Sequence, residues 1–149
     1  MILKRRPAFM RVHQGQSGLK SHRTVMVTPV TLPECRQAAH CLLAADGTAV
    51  TVINDSPGLI AQRVVATIIN VACEIAQLRI ATPDDIDGAV VLGLGYPKGP
   101  LAWGDAIGPG TVLDILDRMH AITGDPRYRP SLWLRRRAML NASLLTTEN

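Results

Sequence analysis

The chain has 149 residues, 47% hydrophobic and 19% charged, long enough for one domain with a real core and too apolar for a disordered segment. Aromatics make up 3%, so aliphatic side chains must build the core, and base-stacking nucleic-acid surfaces are excluded. The formal charge of +4 comes from the leading residues. Lys4, Arg5, Arg6, Arg11, Lys20 and Arg23 meet no acid there, whereas the other ten basic residues share the rest of the chain with all twelve acids. A nucleic-acid-binding fold would carry its charge on the body, and this one does not.

In chain order, residues 1–22 read as a basic, flexible tail with a polar Gln14–Gly18 stretch. Residues 23–54 then predict strand, helix, strand. Thr24–Thr28 and Thr48–Ile53 are β-branched runs, and Thr31 is placed to cap a helix that opens on Pro33 and Glu34 and carries Ala38, Ala39, Leu42 and Leu43. Such a βαβ unit implies two parallel strands, which ordinarily sit inside a larger sheet.

Residues 55–149 predict five helices with short connections. The first spans Asn54 to Arg79, with capping oxygens on Asn54, Asp55 and Ser56, Pro57 in the first turn, and apolar residues around most of its circumference. A helix apolar nearly all round is central and covered by others. Gln62, Arg63, Asn70, Glu74, Gln77 and Arg79 interrupt the run and make a membrane span expensive. Thr82, Pro83, Asp84 and Asp85 open the next helix, with Ile86, Ala89 and Val90 as its buried stripe and Gly93 as its end. Leu101–Ile107 predicts a short helix. Val112, Leu113, Leu116, Met119 and Ile122 repeat at helical spacing up to Gly124. Ser131 caps a last helix bearing Leu132, Trp133, Leu134, Met139 and Leu140. Arg135, Arg136 and Arg137 read as a solvated face.

Few residues suggest chemistry by themselves. Gly93–Gly99 is glycine-rich, but it follows a helix and its third glycine falls one residue late for a dinucleotide loop, so it reads as a helix-to-helix connection. His13, His22, His40 and His120 lack metal-ligand spacing, so no metal site is expected, and Ser17 and Ser56 lie in no nucleophile elbow. Asp84, Asp85 and Asp87 form an acidic group, the first two of which complement the helix dipole. Cys35, Cys41 and Cys73 are odd in number with no C-x-x-C, which suggests a reducing compartment. No apolar stretch of signal-peptide length is present, so the expectation is cytoplasmic. Gln62 stands out as an amide early on the apolar helix, where burial requires a partner.

Three segments in order, Asp55–Arg63 (D-S-P-G-L-I-A-Q-R), Ala81–Asp87 (A-T-P-D-D-I-D) and Gly93–Asp105 (G-L-G-Y-P-K-G-P-L-A-W-G-D), closely resemble the C-terminal domain of 3-hydroxyacyl-CoA dehydrogenases. The resemblance covers residues 48–149 and extends more loosely to residue 23. The implied fold class is mainly α: a five-helix C-terminal dehydrogenase domain preceded by a short βαβ remnant of a Rossmann sheet. The resemblance also implies NAD-dependent oxidation of a 3-hydroxyacyl-CoA to the 3-oxoacyl-CoA, with the helical domain facing the acyl-CoA and forming a homodimer. Gln62, Pro97, Gly99, Pro100 and Leu101 are the substrate-binding residues it implies.

The sequence also departs from the family pattern. The NAD fingerprint and the stretch bearing the family's catalytic histidine are absent, so the chain has no catalytic residues of its own and is not expected to bind NAD alone. Gln62 stands where the family has an asparagine, which moves the amide about one methylene outward. Leu101 replaces an aromatic. The leading expectation is thus a substrate-side and dimerisation domain, inactive alone, for which a separate NAD-binding chain is a candidate partner, with no nucleic-acid or membrane partner. The alternatives are a non-catalytic helical dimer module or degenerate fragment, and the helical domain of a related hydroxyacid dehydrogenase.

Overall fold

The computed structural model describes residues 22–147. The expected tail, with His13 and Ser17, lies outside the described residues except for His22. The chain divides between Ser56 and Pro57 into two compact units, described separately below.

The first unit is β1 (His22–Val27), α1 (Pro33–Ala44) and β2 (Ala49–Asn54). The strands pair in parallel, His22 opposite Ala49 through Val27 opposite Asn54. β1 starts two residues earlier than expected and β2 one residue later. Thr31 is not the helix cap. Its hydroxyl accepts from the Thr28 amide at 2.9 Å and closes the turn, leaving Leu32 at the N-cap without a side-chain bond. Val25 and Leu43 are buried, whereas Leu42 is exposed, because a two-stranded sheet can cover only one stripe of the helix. Arg23 grips Asp46 with two bonds of 2.7 Å, and Asp46 also accepts from the Thr48 amide. The guanidinium holds the Asp46 carboxyl well below the usual carboxylate range.

The second unit holds α2 (Ala61–Gln77), α3 (Pro83–Leu94), α4 (Pro100–Ile107), α5 (Pro109–Thr123) and α6 (Leu132–Leu140), with a 3-10 turn at Pro126–Tyr128. The five expected helices are thus present, and no helix among the described residues is long and apolar enough to cross a membrane. α2 is central and packs against α3, α4, α5 and α6. Its buried side chains are mostly small (Ala66, Ala72, Cys73 and Ala76, with Ile69), so four neighbours can approach closely. They meet Ile86, Leu101, Val112, Leu116, Met119, Trp133, Leu134 and Leu144 in one core. α4 comes so near that a Cβ on Gly104 would lie 3.0 Å from Ile69 and 2.3 Å from Leu144.

The start of α2 differs from expectation. Asn54 belongs to β2, and none of Asn54, Asp55 or Ser56 caps the helix, which begins at Ala61. Gly58 and Leu59 both have left-handed backbones, φ +82° and +48°, and two such residues cannot continue a right-handed helix. The Arg63 amide bonds the Gly58 carbonyl at 3.0 Å, closing a wide turn before the helix proper.

Elsewhere the local signals hold, with shifts at the ends. Thr82 accepts from the Asp85 amide at 3.2 Å, and Ser131 from the Leu134 amide at 3.3 Å. α3 runs one residue past Gly93 and stops at Gly95, which is left-handed at φ +66°. Ala89, Ile122, Leu132, Met139 and Leu140 are exposed rather than part of the core. The arginine run is not one solvated face. Arg135 pairs with Asp117 at 2.8 Å and Arg136 is exposed, but Arg137 is buried, lies 3.2 Å over the Trp133 ring and donates to the Thr146 carbonyl.

Candidate functional site

Gln62 is the second residue of α2, and its side chain is half-buried. No hydrogen bond reaches its amide among the described residues, although neighbouring polar side chains on the helix are engaged. Asn70 bonds the Arg129 carbonyl at 3.0 Å and the Ser131 amide at 2.8 Å, and Gln77 accepts from the Trp133 amide at 3.0 Å. Gln62 therefore keeps a donor pair and an acceptor available to a ligand.

The Pro97–Leu101 turn splits into two parts. Pro97 and Lys98 are exposed, whereas Gly99, Pro100 and Leu101 are buried. The buried part is fixed by Asp87, whose carboxylate accepts from the Leu101 amide at 2.8 Å and the Ala102 amide at 2.9 Å. Asp87 therefore caps α4 from α3, supplying negative charge at the positive end of the helix. A Cβ on Gly99 would sit 2.1 Å from the Asp87 Cγ, so the glycine is what lets the carboxylate in. The Tyr96 and Trp103 rings lie 5.6 Å apart beside the turn. α2 packs against α4, which the turn opens, and no hydrogen bond links Gln62 to the turn among the described residues.

Sequence reasoning grouped Asp87 with Asp84 and Asp85 and so missed its role. One signal was available: Gly99-Pro100 opens a helix with no capping side chain of its own, which requires an acceptor from elsewhere.

The other candidates stay apart. His22 bonds the Thr51 hydroxyl at 2.8 Å, His40 is exposed on α1, and His120 is in the last turn of α5. No group of metal-binding side chains forms among the described residues. A recess of about 550 Å3 lies at the end of α6, lined by Arg136, Met139, Leu140, Ala142 and Thr146 among others, and none of the expected site residues lines it.

Cys73 is buried in the core, and burial pushes its thiol up to about 12 from an ordinary 9.0. The fold favours the protonated thiol. Its contribution to stability is therefore whole below pH 9.0 and is lost as pH rises toward 12. Cys35 and Cys41 are exposed on α1. With a thiol-alkylating reagent at pH 8, two cysteines should react in the native chain and Cys73 only on unfolding. Rapid modification of three would contradict this placement.

The β1–α1 connection does not fit a dinucleotide. Residues 28–32 contain no glycine to admit a pyrophosphate, and Pro33 and Glu34 open α1 with a missing N–H and a negative charge.

Comparison with known proteins identifies the family of the helical unit. Residues 58–147 match the family described as 3-hydroxyacyl-CoA dehydrogenase, C-terminal domain. The chain is 39% identical over 119 residues to a 3-hydroxyadipyl-CoA dehydrogenase of Escherichia coli, a match covering 80% of this chain and 25% of the relative. It is 40% identical over 92 residues to a probable 3-hydroxybutyryl-CoA dehydrogenase of Deinococcus radiodurans, covering 62% of this chain and 32% of the relative. The crystal structure of an Escherichia coli 3-hydroxybutyryl-CoA dehydrogenase superposes with a TM-score of 0.73 at 39% identity, over 80% of this chain and 25% of that one. The chain thus spans about a quarter to a third of the length of these relatives. It belongs to the family of 3-hydroxyacyl-CoA dehydrogenase C-terminal domains.

Proposed function

We propose that the chain is the substrate-side and dimerisation part of an enzyme that oxidises a 3-hydroxyacyl-CoA to the 3-oxoacyl-CoA with NAD. The observation that carries this reading is the family match joined to a half-buried Gln62 amide that no hydrogen bond reaches among the described residues. In this reading Gln62 hydrogen-bonds the acyl-CoA carbonyl, and Pro97, Gly99, Pro100 and Leu101 shape the wall beside it, the last three by holding the turn in place. NAD and the proton-transferring residues belong to the rest of the enzyme, whether in the same polypeptide or in a separate chain. One relative, a 3-hydroxyadipyl-CoA dehydrogenase, extends the substrate class to acyl chains ending in a carboxylate.

The dimer reading rests on a specific surface. Val64 and Val71 on α2, with Ile60 and Leu78 at its two caps, recur at four- and seven-residue intervals, and each is about half exposed or more. An apolar stripe of this kind suits a second copy.

The test uses the purified chain. It should turn over no acetoacetyl-CoA with NADH, scatter light as a dimer, and give heat when titrated with acetoacetyl-CoA. NADH-dependent reduction would sink the division of labour. A dimer with no heat for any acyl-CoA length favours the non-catalytic helical module instead.

A further inference from the structure

The loop leading into α2 is held by a side chain as well as by the backbone. Arg63 donates from Nη2 to the Pro57 carbonyl at 3.0 Å and from Nε to the same oxygen at 3.3 Å. Its own amide bonds the Gly58 carbonyl. Its guanidinium lies 5.6 Å from the centre of the buried Tyr128 ring, near enough for cation–π attraction. Gly58 fits only without a Cβ, which would lie 2.6 Å from the Met119 sulfur. Leu59 carries the conformational cost, a branched residue held at φ +48°. Strain of this kind persists where the surroundings over-determine it, and the closed loop contains Gln62, whose amide no hydrogen bond reaches among the described residues.

We infer that Arg63 is a positioning residue: by clamping the Pro57 carbonyl across the left-handed Gly58–Leu59 turn, it fixes the direction in which Gln62 presents its amide to an acyl-CoA carbonyl. This rests on the acyl-CoA reading above. Lysine cannot replace the clamp, because one ammonium lacks the planar two-point grip and the ring contact. A glutamine amide is a longer lever than an asparagine amide, so its aim depends more on what anchors its backbone.

The experiment is a calorimetric titration of the chain with acetoacetyl-CoA in wild type, Arg63→Lys, Gln62→Ala and the double variant, each with a melting curve. Arg63→Lys and Gln62→Ala should each weaken binding about tenfold, the size of one well-made hydrogen bond. The double variant should bind no more weakly than either single one, since both remove the same contact. A multiplicative loss in the double variant, or an Arg63→Lys variant that melts earlier but binds as tightly, overturns the inference. If Arg63→Lys does not fold, Leu59→Gly serves instead. It relaxes the loop without touching the clamp residue, and it should weaken binding without lowering the melting temperature; unchanged affinity overturns the proposal. No heat from wild type defeats the acyl-CoA reading itself. The positioning role is then read from the NMR order parameter of the Gln62 side-chain amide, which Arg63→Lys should lower and which, if unchanged, overturns it.

Discussion

Gly99→Ala is expected to lower the unfolding free energy of the helical unit by about 3 kcal/mol, the cost of two charge-assisted caps lost together. A Cβ there would lie 2.1 Å from the Asp87 Cγ and 2.3 Å from its Cβ. The near atoms belong to a short side chain with no room to swing, so either the carboxylate leaves the Leu101 and Ala102 amides or α4 moves off the core. Leu101 is fully buried, and water cannot replace the lost acceptor at its amide. Asp87→Asn should cost about half as much, since it keeps the shape and one acceptor but loses the charge. Urea unfolding is the measurement, read as a lower midpoint at constant slope. A Gly99→Ala variant within 0.5 kcal/mol of wild type, roughly the noise of a surface substitution, would falsify the cap.

Asn70→Ala should cost about as much, roughly 3 kcal/mol, by a different route: two backbone groups, one of them buried, lose their partner and a small void opens. Asn70 is 3% exposed, and its amide faces the Arg129 carbonyl with one end and the Ser131 amide with the other. Among the described residues no other side chain bonds either group, and Ser131 is itself buried. Asn70→Asp separates the two bonds. It retains the acceptor for Ser131 but turns an oxygen toward the Arg129 carbonyl and buries a charge, so it should also destabilise. Thermal unfolding decides the matter. A midpoint for Asn70→Ala within a degree of wild type would mean that the 129–131 segment is held by something else.

These two residues also mark the limit of what the sequence revealed. Helix positions were legible because they depend on neighbours three and four residues away. Thr82, Ser131 and the five-helix count follow from that range. Asp87 reads as one more acid beside Asp84 and Asp85 until its partner, fourteen residues on, is brought to it. Arg137 looked solvated beside Arg135 and Arg136, because helical spacing does not say that Trp133 lies beneath it. The start of α2 failed for the opposite reason: Asn54–Pro57 is a sound local cap signal, but Gly58 and Leu59 turn left-handed immediately after it. In the candidate site, Gln62 could be found because an amide on an apolar helix needs a reason. The clamp on the loop before it could not, since the contact between Arg63 and Tyr128 exists only after α2 and the 3-10 turn have packed.

The reach of Asn70 also bears on how the chain folds as it is made. Its partners lie 59 and 61 residues further along, and the Trp133 amide that Gln77 holds is 56 residues beyond it. α2 therefore leaves the ribosome long before the groups that satisfy its polar side chains exist. Until α6 is synthesised, the most central helix of the unit is an apolar rod with open amides, a form suited to chaperones and prone to aggregate. Premature termination anywhere before Ser131 would leave it in that form, so nearly all of the unit must be translated before any of it is secure.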